Sequence, residues 1–515
     1  MNHSNPPRPD RGHLHRKLRH PEGRRAHRSG PLLGAVVVAV IALVAAACSS
    51  GGDEGSGGDG GSDEVACPVD ALEGADGPVE ITVWSNFNAL PRRTFEAMVE
   101  EYNTSQDRVV VDFQPQGISF EEVLRKYKLA AEDDSLPALA LLEDTTTQVM
   151  ADSGTIIPGE ACFDADPDGK AILDDFLPIA VASYTVDGQL QPVGFDVYTA
   201  LVFYNRSTFA DAGLDPDTPP GTLEEIRSAA EAIKASGAAE PPVAVLATAW
   251  QTEWWLTGVG QPIVNENNGR DALATASEFD SDATAELFGF WRSMVDDGLA
   301  SPHPGTEGQT NHLFAMATNS ASIVVESSAA VNTIAGLLEG SVDPALVEEL
   351  GIELPPDFAG LDLDLAVGPF PGIEEPGQGQ IGGGAWYLTN GGTPEQQAAA
   401  WDFMKWFNST AQQVRWAQEG SGLPVVTSAV EDPALIESWQ SSLGGRWNEV
   451  AMEVLQNVDP DFPGPLIGDY KTTREAIRDA YERVLIGDGE IEAAIEEADA
   501  AITAAAEEYK STVGG

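Results

Sequence analysis

The pattern of apolar and polar positions predicts strands that alternate with helices from about residue 79 onward. VEITVWS alternates as a strand does, and PRRTFEAMVEEYNTS places Phe95, Met98, Val99 and Tyr102 on one helical face. RVVVDFQP, FEEVLRKYKLAAEDD and PALALLED continue the alternation as strand, helix and strand. Because strands linked through helices run parallel, the pattern predicts an α/β fold with mostly parallel sheets flanked by helices.

The same alternation begins again near residue 191 and continues to LDLAVGPFPG. The Pro- and Gly-rich stretch PGIEEPGQGQIGGG is typical of a connection, and one strand, AWYLTN, and further helices follow it. About 450 residues are enough for two or three cores. The pattern therefore predicts more than one lobe.

The first residues differ from the rest of the chain. Eight Lys and Arg precede the uncharged run PLLGAVVVAVIALVAAA, and Cys48 follows it directly. A basic region, an apolar core and small residues predict a signal peptide over 1–47. The end of this stretch resembles a lipobox, in which the cysteine, here Cys48, is acylated. Ala45 stands at a position where the lipobox favours leucine. Residues 48–66 are rich in Gly, Ser and acids and predict a flexible tether. An uncleaved membrane anchor is the alternative.

Charge narrows the range of partners. The chain carries 28 Lys and Arg against 82 Asp and Glu, a formal net charge of −54, and loss of the leader makes the remainder more acidic. Such a surface repels nucleic acid and anionic membranes. We therefore expect no nucleic-acid partner and membrane contact through the lipid anchor only. The leader and the anchor predict a location on the extracellular face of the membrane, and we expect a monomer there.

Two cysteines remain after Cys48, and an exported protein most economically pairs Cys67 with Cys162. Gly377, Gly379 and Gly382 match a dinucleotide motif in spacing, but they open onto a strand, so no cofactor is predicted. Calcium is a weak hypothesis at DADPDG, where the candidate ligands are Asp164, Asp166 and Asp168. No nucleophile or zinc motif predicts an enzyme.

Aromatic residues and carboxylates at predicted strand ends point to a small ligand. In an open parallel sheet, ligands lie beyond the carboxyl ends of strands. Sugar rings offer C–H faces to indoles and hydroxyls to carboxylates. The candidate ligand-binding residues on this basis are Trp84, Trp250, Trp254 and Trp386 for stacking, and Glu143, Asp144 and Asp196 for hydrogen bonding.

The chain from 79 to 515 resembles the family-1 extracellular solute-binding proteins of ABC transporters. The resemblance rests on LVFYNRSTFADAGLDPDTPPGTLEEI, LPALALLEDTTTQVMADSGTIIP, and IGGGAWYLTN followed by a helical stretch ending in SGLPV. It implies a two-lobed, type II periplasmic-binding-protein-like fold with three hinge crossings, near 196–200, 376–381 and 420–424. Lobe 1 would comprise 67–196 and 380–421, and lobe 2 would comprise 197–379 and 422–515.

The resemblance also carries over site residues from the glycerol-phosphate binders of the family. Their ligand-binding carboxylate falls on Glu143 and their tyrosine on Phe120. Their two small residues fall on Val197 and Tyr198. Their glycine contact falls within Gly382–Gly384, so Gly383 and Gly384 are also candidate ligand-binding residues. Their phosphate-binding arginine has no counterpart at Leu466 and Ile467. The resemblance therefore implies a sugar or oligosaccharide delivered to a permease. The alternatives are a glycerol 3-phosphate or glycerophosphodiester binder, a lipid-anchored carbohydrate-active enzyme and a surface adhesin.

Overall fold

A computed structural model describes residues 65–305, 310–341, 359–377, 379–420, 422–487 and 489–513. The predictions of a signal peptide over 1–47, of acylation at Cys48 and of most of the tether lie outside these residues. Within them, no helix is both long and apolar enough to cross a membrane.

The described strands form two five-stranded sheets and one short hairpin. The strands are β1 (Val79–Ser85), β2 (Val109–Pro115), β3 (Leu139–Glu143), β4 (Thr185–Val186), β5 (Gln189–Leu190), β6 (Val193–Tyr198), β7 (Ala200–Asn205), β8 (Val243–Ala247), β9 (Ala300–Pro304), β10 (Ile323–Ser327), β11 (Leu365–Pro369) and β12 (Gly382–Leu388). Sheet 1 has the order β2-β1-β3-β12-β6, and sheet 2 has the order β11-β7-β10-β8-β9. Only β12 and β7 run against their neighbours, so each sheet is mostly parallel, which confirms the predicted fold class.

Helices cover both sheets. They are α1 (Ala89–Ser105), α2 (Phe120–Glu132), α3 (Thr147–Ala151), α4 (Gly159–Ala165), α5 (Gly169–Leu173), α6 (Pro178–Ser183), α7 (Arg206–Asp211), α8 (Leu223–Ser236), α9 (Ala249–Gly258), α10 (Asp282–Asp296), α11 (Asn311–Ala317), α12 (Val331–Glu339), α13 (Pro394–Phe407), α14 (Thr410–Glu419), α15 (Thr427–Val430), α16 (Pro433–Ser441), α17 (Leu443–Gln456), α18 (Tyr470–Leu485) and α19 (Ile491–Val513). The apolar face predicted for α1 is buried at all four positions.

Large aromatic side chains fill the core beside sheet 1. Trp386 on β12 is fully buried, and its ring lies 5.0 Å from that of Phe195 and 5.6 Å from that of Phe407, measured between centroids. Phe95 of α1 packs on the same ring at 6.0 Å. Aromatic pairs at these distances add to the stability gained from burial, so Trp386 holds α1 and α13 against the sheet.

Apolar strands and capped helices likewise build the second lobe. Every residue of β8 is buried, as expected for a strand covered on both faces. The side chain of Thr222 accepts a hydrogen bond from the backbone N–H of Glu225 and begins α8, and Gly237 ends it in the left-handed conformation. α18 and α19 complete the cover of this sheet: α18 packs Ile477, Tyr481 and Val484 into its core, and α19 packs Ile495 and Ile502 there.

The chain passes between the two sheets at three places. β6 and β7 are separated by Thr199 alone, and residues 370–381 link β11 to β12. The third passage differs from the expectation of 420–424. Leu423 exchanges two backbone hydrogen bonds with Val197 of sheet 1, and Val425 accepts one from Leu177, so residues 422–426 still belong to the first lobe. The chain reaches sheet 2 only with α17, which packs against β11.

Cys67 and Cys162 form a disulfide, which confirms the predicted pairing.

The calcium hypothesis at the neighbouring loop is wrong. Asp166 is buried, and its carboxylate accepts hydrogen bonds from the Asp168 backbone, from Trp401 Nε1 at 2.8 Å and from Lys405 Nζ at 2.6 Å. Since these donors use its oxygens, Asp166 anchors α13 instead of binding a cation, and the described residues contain no cluster of three metal-binding side chains.

Removal of the disulfide should destabilise the first lobe. The bond closes a loop of 95 residues, for which chain entropy gives about 4–5 kcal/mol. We expect the variant Cys67→Ser/Cys162→Ser to unfold at a clearly lower urea concentration than the oxidised protein. Treatment of the wild type with a reductant serves as the matched control, and an unchanged midpoint in both would contradict the prediction.

Candidate functional site

A small polar cavity lies where the two lobes meet. Its volume is about 20 Å³, which is enough for about one water molecule. The first lobe contributes Asp144, Thr145, Ser183, Tyr184 and Ile381, and the second contributes Arg270, Pro463, Pro465, Leu466 and Tyr470, with Gln380 on the linking segment between them. Both lobes therefore supply polar groups to one enclosed space.

Two hydroxyl groups of this cavity lack a hydrogen-bond partner among the described residues. They are Ser183 Oγ and Tyr184 Oη. Ser183 is 8% exposed and Tyr184 is 1% exposed, so bulk water does not reach them freely. Buried polar atoms are nearly always hydrogen-bonded, and leaving one unsatisfied is costly. Hydroxyls in this position are suited to bonding a solute that enters the cavity.

Arg270 brings a positive charge to the cavity from a strained turn. Glu266, Asn267 and Asn268 all have left-handed backbone angles, which are unfavourable for residues with a side chain. The guanidinium of Arg270 donates to the carbonyls of Gly464 at 2.7 Å and Ala182 at 3.0 Å. Its pKa is lowered to about 10 by burial. No carboxylate of the described chain forms an ion pair with it.

Arg474 bridges the two lobes beside this cavity. From α18 it donates through Nε and Nη2 to Glu253 of α9, at 3.1 Å each, and through Nη1 to Glu143 at the end of β3, also at 3.1 Å. Tyr470, one turn earlier on α18, donates to Glu253 at 3.2 Å. The pKa of Arg474 is raised well above its usual value, because the attraction of Glu253 and Glu143 outweighs the opposing effect of burial.

Asp144 carries the most strongly perturbed carboxyl group at the site. Its pKa is raised to about 8, chiefly because burial disfavours the charged form and also because Glu143 and Glu253 lie near it. Arg474 and the backbone N–H of Gly383 offset part of this effect. Near neutral pH the Asp144 carboxyl is therefore largely protonated, and in this form it can donate as well as accept hydrogen bonds.

Three of the predicted site residues belong to the core instead. Trp386 is fully buried in the aromatic cluster of the first lobe. Trp254 is 4% exposed and packs on Phe370, with ring centroids 6.3 Å apart. Asp196 is 3% exposed and accepts hydrogen bonds from Tyr198, the Gly384 backbone and Trp416. Trp386 lies within β12, Trp254 within α9 and Asp196 within β6, and none of the three lines the cavity; their contact with a ligand stays a prediction.

The other candidates lie around the junction without lining the cavity. Trp84 is half-buried and donates to Gln114 at 3.2 Å, and Trp250 is half-buried with its ring 5.3 Å from that of Trp254. Phe120 begins α2, next to Glu121, which pairs across the lobes with Lys471.

The backbone N–H of Gly383 donates a hydrogen bond to Asp144, and a side chain at position 383 would collide with the carbonyl oxygen of Asp196. The backbone N–H of Gly384 donates a hydrogen bond to the carboxylate of Asp196 instead. Of the eleven predicted residues, the structure brings Asp144 into the cavity and Glu143 beside it. Their contact with a ligand stays a prediction.

Sequence reasoning missed the residues that define the site: Ser183, Tyr184, Glu253, Arg270, Tyr470 and Arg474. One signal was available for the last pair, because Tyr470 and Arg474 lie four residues apart and hence on one face of a helix. Nothing in the stretch VASYTVDG marks Ser183 and Tyr184 as different from helix-end residues.

Two α/β lobes, joined by crossing segments and enclosing a polar cavity at their junction, define a two-lobed binding protein. The chain belongs to the family of bacterial extracellular solute-binding proteins, whose model matches residues 97–441. This assignment confirms the resemblance inferred from the sequence.

Its relatives are binding proteins, not enzymes. The sn-glycerol-3-phosphate-binding periplasmic protein UgpB of Rhizobium meliloti is 24% identical over 445 residues, which cover 84% of this chain and 95% of UgpB. The cyclic α-maltosyl-1,6-maltose binding protein of Arthrobacter globiformis has a TM-score of 0.66 at 23% identity, covering 84% of this chain and all of that one. UgpB of Mycobacterium tuberculosis, in complex with glycerophosphocholine, has a TM-score of 0.62 at 18% identity, covering 84% and 99%.

The pKa of Asp144 predicts a specific pH dependence of stability. An unfolded aspartate titrates near about 3.9, whereas folded Asp144 titrates at about 8. Between these values the folded protein holds a proton that the unfolded chain lacks, so this group lowers stability as the pH rises from about 4 to about 8. We expect Asp144→Asn to gain stability relative to the wild type over that range and to keep the gain above it.

Urea unfolding at pH 5, 7 and 9 measures this effect. Asp76→Asn, at an exposed position, removes one negative charge without touching the cavity and serves as the control. A stability difference between Asp144→Asn and the wild type that is the same at all three pH values would contradict the prediction.

Proposed function

We propose that this protein is the lipid-anchored, monomeric substrate-binding component of an ABC importer, which captures a neutral sugar or oligosaccharide between its lobes and delivers it to a membrane permease. One observation carries the proposal: the buried hydroxyls of Ser183 and Tyr184 have no hydrogen-bond partner in the part of the chain that the structure describes, and they line a cavity to which both lobes contribute. A polyhydroxylated solute offers both donors and acceptors to such groups. The relatives, which include sugar-binding proteins, support the transport role.

The charges around the cavity support a neutral ligand. Arg474 is already paired with two carboxylates, Glu143 and Glu253. Leu466 lines the cavity, and Ile467 follows it, at the positions where the glycerol-phosphate binders of the family present their arginine. Sugar hydroxyls bond readily to carboxylates, whereas a phosphate is repelled by them.

Ligand entry requires the lobes to separate. The cavity holds about one water molecule, and a sugar ring is far larger. Interlobe contacts such as Arg474 with Glu143 and Lys471 with Glu121 must break for the cleft to admit a ring. Hinge movement at the crossing segments accounts for such opening.

A glycerol 3-phosphate or glycerophosphodiester ligand is the second candidate. Arg270 favours it, because this cation lines the cavity and donates only to backbone carbonyls among the described residues. The UgpB relatives also favour it. Under this alternative, Arg270→Gln should weaken glycerophosphate binding, while under the sugar proposal glycerophosphates do not bind the wild type.

A thermal-shift screen followed by calorimetric titration tests the proposal. Ligands that bind only the folded protein raise its unfolding temperature by mass action. We expect shifts with members of a panel of neutral mono- and oligosaccharides, and none with glycerol 3-phosphate or glycerophosphocholine. A response only to the two phosphate compounds would establish the second candidate, and turnover of a sugar would contradict a pure binding role.

The cavity hydroxyls supply the matched variants. Tyr184→Phe and Ser183→Ala each remove one hydroxyl, and we expect each to weaken binding of the identified sugar by about 2–10-fold, the worth of one hydrogen bond. Tyr481→Phe is the control, because Tyr481 Oη is also buried without a partner but lies in the core of the second lobe. Equal affinity of Tyr184→Phe and Tyr481→Phe would show that Tyr184 does not contact the sugar.

A further inference from the structure

Glu253 is a buried carboxylate with a specific relation to the interlobe arginine. Its side chain is 1% exposed, and it receives Nε and Nη2 of Arg474 together with Tyr470 Oη. The paired geometry uses two of the three nitrogens of the guanidinium, and the third reaches Glu143 in the other lobe. All three nitrogens of Arg474 therefore face carboxylates.

We propose that Glu253 determines the charge selectivity of the cleft: by neutralising Arg474 it prevents a phosphate-bearing solute from using this arginine. The inference rests on the proposed function in that the cleft is taken to be the solute site. Arginine binds phosphate through paired N–H donors, and Glu253 occupies those donors.

The charge balance explains the direction of this effect. Arg474, Glu143 and Glu253 together carry one net negative charge, so a phosphate approaching the guanidinium meets two carboxylates. Removing the charge of Glu253 leaves Arg474 with one carboxylate, Glu143, which is 36% exposed and sits on the opposite lobe. When the cleft opens, that contact breaks as well, and the guanidinium becomes available to an anion.

Of the groups around Arg474, Glu253 is the one that decides whether the guanidinium can bind an anion. Tyr470 lies 4.9 Å below the guanidinium of Arg474 and carries no charge at neutral pH. Asp144 is the other nearby carboxyl group, and burial with its neighbours raises its pKa. Arg270 lines the same cavity and provides a separate cation, so a phosphate that binds through Arg270 in the wild type contradicts the proposal.

Titration of the full-length wild type and Glu253→Gln with glycerol 3-phosphate and with inorganic phosphate, at fixed ionic strength, tests the inference. Glutamine keeps the size of the side chain and loses the charge. We expect Glu253→Gln to bind glycerol 3-phosphate at least about tenfold more tightly than the wild type, as a change of one charge close to the anion implies. The further change Arg474→Gln should abolish this gain.

Glu121→Gln is the control, because Glu121 also loses one charge at the lobe junction but pairs with Lys471 and not with Arg474. Equal phosphate affinities in the wild type, Glu121→Gln and Glu253→Gln would overturn the proposal, as would tight phosphate binding by the wild type. If Glu253→Gln does not fold, as judged by circular dichroism, Glu253→Met, which is similar in size and also uncharged, replaces it. We expect the same gain of about tenfold in phosphate affinity, and no gain would overturn the proposal.

Failure of this inference is distinguishable from failure of the proposed function. The comparison measures a gain of phosphate binding between two variants and needs no sugar. A protein that ignores every sugar while Glu253→Gln gains phosphate affinity would refute the sugar proposal and uphold the role of Glu253.

Discussion

One guanidinium bonds to carboxylates of both lobes at their junction. Arg474 is fixed in the second lobe by the buried Glu253 and reaches Glu143 in the first. A planar group with five N–H donors is suited to this double role, which a lysine ammonium could not fill with the same geometry. The cavity next to it is bounded by residues of both lobes, and Arg270, which donates to the Ala182 carbonyl of the first lobe, adds a second interlobe contact there.

The abundance of acids gives this arginine its importance. With 82 Asp and Glu against 28 Lys and Arg, any two surfaces of the chain that meet bring carboxylates together. At the lobe junction the pKa of Asp144 is raised, chiefly by burial and further by repulsion from Glu143 and Glu253. Arg474 compensates part of that charge, and Lys471 compensates more of it at Glu121. Two cations of the sequence, Arg474 and Lys471, thus lie where carboxylates of the two lobes meet.

Local patterns were sufficient to predict much of the fold, and insufficient to predict the site. Periodicity places Phe95 and Tyr102 correctly on the buried face of α1, because burial of a helix face depends on neighbours three or four residues away. The pairing of Glu143 with Arg474 joins residues 331 positions apart, and no local pattern contains it. The third crossing was misplaced for the same reason, since Leu423 bonds to Val197 of a strand more than 200 residues earlier.

The aromatic residues show how packing and recognition are divided. Tryptophans predicted near strand ends suggest stacking platforms, yet Trp386 lies within β12 and Trp254 within α9, and both are buried in the lobe cores. Tyrosines line the cavity instead, with Tyr470 donating to Glu253 and the hydroxyl of Tyr184 left open. A tyrosine places its ring in the core and its hydroxyl in a polar space, so it serves both purposes. The described lining of the cavity therefore offers serine and tyrosine hydroxyls and no indole ring.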